Sequence, residues 1–293
     1  MTPFADRTWE SPFVPVLLSP GGWSLTAPLP EVDDDHWAVI AHADALAAPG
    51  LVRLVQAAAL ARPDVELFYG DDVALGSPPR LKPAFDLAQL IAQDYVGAPL
   101  IVRGSALRRL GWTDGGTYDL LLRAEAGGVG IDRIPEVLAA YREARPETPL
   151  ELRRRAVLAW IGTRPFEIAQ GRTPASLQLV RRFDRFPEVT LVVPTRQSGT
   201  PYVVELLDSL VRTDWPMDRL TVLIGDDTDE ASTFPEGRWP FAARRIETPR
   251  TPDEGFNYAA KMNRLWRAAA TEHLVLLNDD VTALQPGWLK ALM

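Results

Sequence analysis

Apolar residues recur with two distinct periods in the last third of the chain. "VTLVVPT" (189–195) is a near-continuous apolar run, the pattern of a strand buried on both faces of a parallel sheet. In "YVVELLDSLVRTDW" the spacing changes: Val203, Leu206, Leu207 and Leu210 follow the i, i+3, i+4 rule of an amphipathic helix. "RLTVLIGDD" predicts a second buried strand, "FNYAAKMNRLWRAAAT" a second helix, and "HLVLLNDD" (273–280) a third strand. Strands alternating with helices predict a doubly wound α/β sheet, whose ligands bind beyond the carboxyl ends of its strands.

The earlier residues are less regular. The first 30 are rich in proline and glycine, with one candidate strand at "FVPVLLS". "HWAVIAHADAL" (36–46) predicts a buried strand running into a loop, and "APGLVRLVQAAALARP" a helix stopped by Pro63. "VELFYGDDVAL" reads as a short strand into an acidic turn. "DLAQLIAQDYVGAPLIVRGSALRRLG" reads as a helix, a strand over 98–102, and a short helix closed by Gly111. "YDLLLRAEAGG" is a helix with a glycine stop, "GIDRIPEVLAAYR" a strand, a turn and another strand, and "PLELRRRAVLAWIG" a long amphipathic helix. "GRTPASLQLVRRFDRFPE" is polar and proline-flanked, so the expected domain boundary falls near Phe186, giving regions 1–186 and 187–293.

Composition narrows the function classes. With 293 residues, 46% of them hydrophobic, the chain can build one large core or two ordinary ones. A net charge of −8 argues against general nucleic-acid binding, which needs a basic surface. The absence of cysteine excludes disulfides, thiolate metal sites and cysteine nucleophiles. No apolar run approaches the ~20 residues of a membrane span. "MTPFADRTWESPF" lacks the apolar core of a secretory signal. The expectation is a soluble, cytoplasmic protein, with peripheral association at the inner membrane left open.

The candidate chemistry sits at strand ends. Asp226 and Asp227 close one predicted strand, Asp279 and Asp280 another. In a parallel sheet these ends share one edge, where four carboxylates repel unless a cation or a set of donors lies between them. Oxygen ligands of this kind suit Mg2+ or Mn2+ shared with substrate phosphates. The plainer alternative is four solvated turn residues. No glycine-rich phosphate loop is present, and "PTRQSGTPY" does not supply the signature loop of a nucleotidyltransferase.

From Val189 onward, the ordered segments "VTLVVPTR", "LLDSLVRTDWP", "LTVLIGDD", "GFNYAAKMNRL", "HLVLLNDDV" and "PGWLKALM" resemble family 2 glycosyltransferases of GT-A fold. They are most similar to those of bacterial O-antigen and surface-polysaccharide synthesis. The resemblance implies a Rossmann-like GT-A sheet, a UDP- or dTDP-sugar donor, a glycan acceptor, a divalent metal at an Asp-x-Asp element, and transfer with inversion. It implies that Pro194, Thr195 and Arg196 edge the nucleotide base, with Asp226 accepting a hydrogen bond from it and Asp227 alongside. Lys261 and Asn263 fall at the diphosphate pocket. Asn278, Asp279 and Asp280 occupy the Asp-x-Asp element, with Asp280 the expected metal contact and Asn278 a neutral ligand. Asn257 suits a helix cap, and Tyr258 and Trp266 suit the core better than a ligand site.

The first region resembles the acceptor-side half of tandem relatives through "HWAVIAHADALAAPGL", "LFYGDDVAL", "LKPAFDLAQLI", "GTYDLLLRA" and "IDRIPEVLAAYR". The framework is kept and the chemistry is not. Ala41 and Ala43 replace carboxylates, leaving Asp44, and Thr117 stands where relatives place the base. Region 1–186 is therefore expected to be a degenerate partial GT-A-like domain, structural or acceptor-binding. His42 reads as structural, and Asp71, Asp72 and Asp119 are weak candidates for the base. Region 187–293 reads as a donor-binding half truncated after the Asp-x-Asp strand. Two whole-chain arrangements follow: a catalytically incomplete front portion, or a permuted sheet joining strands 98–102 and 273–280. The competing class is a non-catalytic sugar- or protein-binding scaffold.

Overall fold

The computed structural model describes residues 2–18, 25–142, 147–228, 234–235, 237–248 and 257–293. It divides into two compact units, Met1–Val180 and Arg181–Met293.

Unit 1 runs β1 (Thr2–Pro3), β2 (Phe13–Leu18), β3 (Trp37–His42), β4 (Leu46–Ala47), α1 (Leu51–Ala61), β5 (Val65–Ala74), α2 (Leu87–Ala92), β6 (Leu100–Arg103), α3 (Gly104–Leu110), α4 (Gly116–Ala126), β7 (Gly130–Tyr141), α5 (Leu150–Ile161), β8 (Phe166–Gln170) and β9 (Leu177–Arg181). Seven strands form a mixed sheet in the order β1-β4-β7-β5-β6-β3-β2, while β8 and β9 pair separately. Local chemistry sets several helix ends. The carboxylate of Asp86 caps α2 by accepting from the Gln89 N–H at 2.7 Å. Gly111 ends α3 with φ +71°, a conformation that favours glycine.

Three expectations change in unit 1. Gly70, Asp71 and Asp72 lie inside β5, not in a turn after it. "GIDRIPEVLAAY" is one long strand. Its pairing with β5 jumps from Gly70↔Ile134 to Asp71↔Val137, so Pro135 and Glu136 bulge outward. Proline has no N–H for a ladder, and a bulge is where a sheet can hold it. The polar stretch before Phe186 contributes β9, whose Leu177 is buried in the unit 1 core.

Unit 2 runs β10 (Val189–Thr195), α6 (Pro201–Leu210), β11 (Leu220–Asp226), β12 (Ala242–Glu247), α7 (Tyr258–Ala268), β13 (His273–Leu276) and α8 (Trp288–Leu292). All four strands are parallel, in the order β12-β11-β10-β13. The Rossmann-like α/β sheet expected for this region is present. β10 shows why its sequence is apolar throughout. Val189, Leu191 and Val193 face a core that includes Val203, Leu206, Leu207 and Leu210 of α6. Val192, on the opposite face, meets Met262 and Leu265 of α7. Each such side chain, fully buried, contributes about 2 kcal/mol. β6 lies between β3 and β5, whereas β13 is an edge strand beside β10, so the two belong to different sheets and the permuted arrangement is excluded.

In unit 2 the chain builds strands outward from β10 through β11 to β12, then returns to place β13 on the other side of β10. This reversal is a topological switch point, and α/β sheets bind ligands at the carboxyl ends of the strands beside it.

Candidate functional site

A cleft of about 300 Å³ lies at that switch point, lined by Pro194, Thr195, Arg196, Tyr258, Lys261, Asn278 and Asp279. Three elements supply them: the end of β10, the first turn of α7, and the loop after β13. Its volume is at the low end for small-molecule sites.

Lys261 organises one wall. The stripe of α7 at Tyr258, Lys261, Met262 and Leu265 has the i, i+3, i+4, i+7 spacing that faces a core. Met262 and Leu265 are buried there. Lys261 is also buried, and its ammonium donates to Asp227 Oδ1 at 2.6 Å and to the Thr195 carbonyl. An ammonium out of water needs such partners, so the pairing fixes the cation beside the cleft. Thr195 links to the opposite side, its hydroxyl donating to Asp279 Oδ2 at 2.6 Å. One positive and one negative group thus meet across a single threonine.

Asp226 lies behind this layer, wholly buried. Its Oδ2 accepts from the Ser198 N–H at 3.0 Å, from the Ser198 hydroxyl, and from Arg245 Nε at 2.9 Å. Its Oδ1 accepts from the Thr228 N–H at 2.9 Å and hydroxyl at 2.6 Å. Burial alone would raise its pKa, but the hydrogen bonds from Ser198, Thr228 and Arg245 outweigh it and hold the carboxyl well below the ordinary range.

The structure therefore gathers six of the ten expected residues at the cleft: Pro194, Thr195, Arg196, Lys261, Asn278 and Asp279. The other four lie outside its lining. Asp226 has five donors on its two oxygens. Asp227 pairs with Lys261. Asn263 is exposed outside the cleft lining, because helical spacing turns it away from the 258–261–262–265 stripe. Asp280 is likewise exposed and does not line the cleft. Donors stand beside three of the four strand-end carboxylates: Asp226 pairs with Arg245, Asp227 with Lys261, and Asp279 with Thr195. Among the described residues, no three acidic or histidine side chains form a metal-ligating group. Asn278 and Asp279 instead offer a sparse all-oxygen donor set. That fits a cation arriving with its own phosphate ligands, as Mg2+ commonly does, but not a cation bound by protein alone.

Unit 1 holds its candidate acids differently. Arg133 grips Asp71 through Nε at 3.1 Å and Nη2 at 2.7 Å, and the Lys82 N–H adds a third bond at 2.9 Å. Asp72 pairs with Arg80 at 2.5 Å and Lys82 at 3.0 Å. Asp119 accepts from Thr113 at 2.5 Å and Arg123 at 2.8 Å, bracing its helix. Thr117 is buried. His42 is buried too, edge-on to Tyr141 with centroids 6.0 Å apart.

Sequence reasoning missed Arg245, Ser198 and Tyr258. The first two are long-range partners of Asp226 without a motif. Tyr258 had a signal, its place on the inward stripe of α7, but was expected in the core.

No family model matches the chain. It is 29% identical over 267 residues to the O-antigen biosynthesis protein RfbC of Myxococcus xanthus, an alignment covering 84% of this chain and 20% of that protein. It is 26% identical over 282 residues to the protein y4gI of Sinorhizobium fredii, covering 87% of this chain and 31% of that protein. The chain thus spans less than a third of the length of these curated relatives. Among solved structures it is similar to the mannosyltransferase PcManGT of Pyrobaculum calidifontis in complex with GDP-Man and Mn2+, with 22% identity, 59% of this chain and 41% of that chain covered, and TM-score 0.29. It is also similar to S. aureus TarS 1–349 in complex with UDP-GlcNAc, with 22% identity, coverages of 35% and 29%, and TM-score 0.27. At these scores the likeness adds nothing to what the strand order itself shows.

Proposed function

We propose that unit 2 is the nucleotide-sugar-binding part of a family 2 glycosyltransferase of GT-A fold. The chain would serve inverting sugar transfer to a growing bacterial surface glycan. The observation that carries this reading is the switch-point cleft, where Lys261 and Asp279 meet across Thr195. A cation and an oxygen-donor loop on one edge suit a diphosphate joined to a divalent metal. Similarity to an O-antigen biosynthesis protein over most of this chain supports the same assignment.

In this mechanism Lys261 and the Asn278–Asp279 loop orient the donor diphosphate. An acceptor hydroxyl oxygen bonds to the anomeric carbon as the bond from that carbon to the diphosphate oxygen breaks. The hydroxyl proton goes to a carboxylate base. Bound Mg2+ or Mn2+ supplies Lewis-acid neutralisation of the departing diphosphate. Asp279 is the only carboxylate lining the cleft among the described residues, and it belongs to the donor side. Asp71, Asp72 and Asp119 are held in ion pairs. Unit 1 accordingly has a structural or acceptor-binding role, and the chain alone binds donor without turning it over efficiently.

Isothermal titration with UDP and dTDP, with and without Mn2+, tests the assignment. The expected result is metal-enhanced binding that drops more than tenfold in Asp279→Asn, the hydroxyl contact of Thr195 being retained. Absence of binding by either nucleotide in the presence of metal would favour the scaffold class instead.

A further inference from the structure

We infer that Tyr258 is the stacking platform for the nucleobase of the bound donor. This rests on the nucleotide-sugar assignment above and names a residue which that assignment does not contain.

The argument starts from an inconsistency along α7. Tyr258, Lys261, Met262 and Leu265 share one helical face. The last three are 5%, 7% and 0% exposed, whereas Tyr258 is 44% exposed. An aromatic on a core-facing stripe is ordinarily covered, since burial of its large apolar area is favourable. Tyr258 is uncovered because the stripe runs past the end of the sheet core and over the cleft, which it helps to line. Among the described residues the ring is left open to a ligand.

The cleft is also chemically divided. Its sheltered part carries charge, at buried Lys261 and half-buried Asp279. Its outer part carries flat or apolar groups: the Tyr258 ring, half-buried Pro194 and the exposed Arg196 guanidinium. A nucleoside diphosphate has the same division, a charged diphosphate joined to a planar base. Aromatic rings and guanidinium planes both stack on bases with little regard to base identity. Placing the diphosphate at Lys261 and Asp279 puts the base at the Tyr258 rim. The platform therefore contributes affinity for the nucleoside portion, and hydrogen-bonding groups elsewhere set the choice among bases.

The test compares UDP with inorganic pyrophosphate, each titrated in Mn2+ against wild type, Tyr258→Ala and Tyr258→Phe. Tyr258→Ala is expected to weaken UDP about tenfold while leaving pyrophosphate within twofold, and Tyr258→Phe to retain UDP binding. Equal UDP binding by wild type and Tyr258→Ala would overturn the platform and leave the donor assignment intact. Loss of pyrophosphate and UDP together in Tyr258→Ala would overturn it as well, by showing a general disturbance of the cleft. Wild type that binds neither probe would overturn the donor assignment, and the platform with it. The ring is exposed, so unchanged melting temperatures are expected across the set.

Discussion

The tripeptide Gly-Asp-Asp occurs in both units, as residues 70–72 and 225–227, and the two copies have different fates. In unit 1 both aspartates sit within β5 and are clamped by Arg133, Arg80 and Lys82. In unit 2 the copy stands at the carboxyl end of β11. There Asp226 is closed off by Arg245, Ser198 and Thr228, while Asp227 holds Lys261, a residue that opens onto a cleft. The comparison teaches that an acidic pair at a strand is not itself a site. The partner decides: Asp227 is paired with Lys261, and that cation lines the cleft.

The strongest way to break this comparison is to remove the cations. Arg133→Ala leaves Asp71 buried with one backbone donor, and stranding a buried charge costs about 3–5 kcal/mol. Unit 1 should lose that much, with nucleotide binding by unit 2 unchanged. Hydrogen exchange followed by mass spectrometry reports the two units separately. Lys261→Met is expected to cost unit 2 about 3 kcal/mol, since it removes the cation paired with the buried Asp227 carboxylate, and also to abolish nucleotide binding. Coupled loss of stability and binding in unit 2, against stability alone in unit 1, is the signature of an open and a closed copy. Nucleotide binding sensitive to Arg133→Ala would end the distinction.

The glycines sharpen the comparison at smaller magnitude. A Cβ at Gly70 would lie 2.4 Å from Leu138 Cγ and 3.0 Å from the Glu136 carbonyl oxygen. At Gly225 the nearest atom is the terminal Leu265 Cδ1 at 2.7 Å, which can rotate away. Overpacking of this kind costs about 1–3 kcal/mol. Gly70→Ala should fall near the top of that range and Gly225→Ala near the bottom, as urea denaturation would show.

Such tertiary constraints explain which features were legible in the sequence. β10, β11, α6 and α7 were plain because each has a long apolar signal. β12 was missed because it is an edge strand, "AARRIE", with only Ala243 buried. Pro135 suggested a turn, but the sheet absorbed it as a bulge. The paired β8 and β9 escaped notice because their alternating polar residues resemble a linker. The motif pointed to Thr195, Lys261 and Asp279, which the fold brings to one cleft. The donors that close Asp226 come from positions 198, 228 and 245, and no local pattern announces a partner 28 or 19 residues away. Residues Gly255 and Phe256 of the "GFNY" match lie outside the described residues.

Acid sensitivity offers a milder test. Asp226 has a folded pKa below its ordinary value of 3.8, so its stabilising contribution is fully present above that value and is lost as pH falls below it. Unit 2 of Asp226→Asn should therefore be less stable than wild type near neutrality, and the gap should narrow as pH falls below about 4. A gap that stays constant down to acid pH would show that the carboxylate's charge is not what the surrounding donors stabilise.

The smallest effects concern two residues that the motif includes and the cleft lining does not. Asp280 and Asn263 are exposed and outside the cleft lining. Exposed substitutions of this kind change stability by about 0.5 kcal/mol or less. Asp280→Asn and Asn263→Ala should each alter Mn2+-dependent UDP affinity less than twofold, against the more than tenfold loss expected for Asp279→Asn. The comparison between neighbours is demanding because Asp279 and Asp280 carry the same charge one residue apart. Long-range attraction for metal-bound diphosphate would therefore weaken similarly in both variants, and raising the salt concentration would shrink that shared part. What survives at high salt is direct ligation, which belongs to the carboxylate that Thr195 holds at the cleft. If Asp280→Asn instead gives the larger, salt-resistant loss, the loop after β13 must turn over on binding and present its second aspartate.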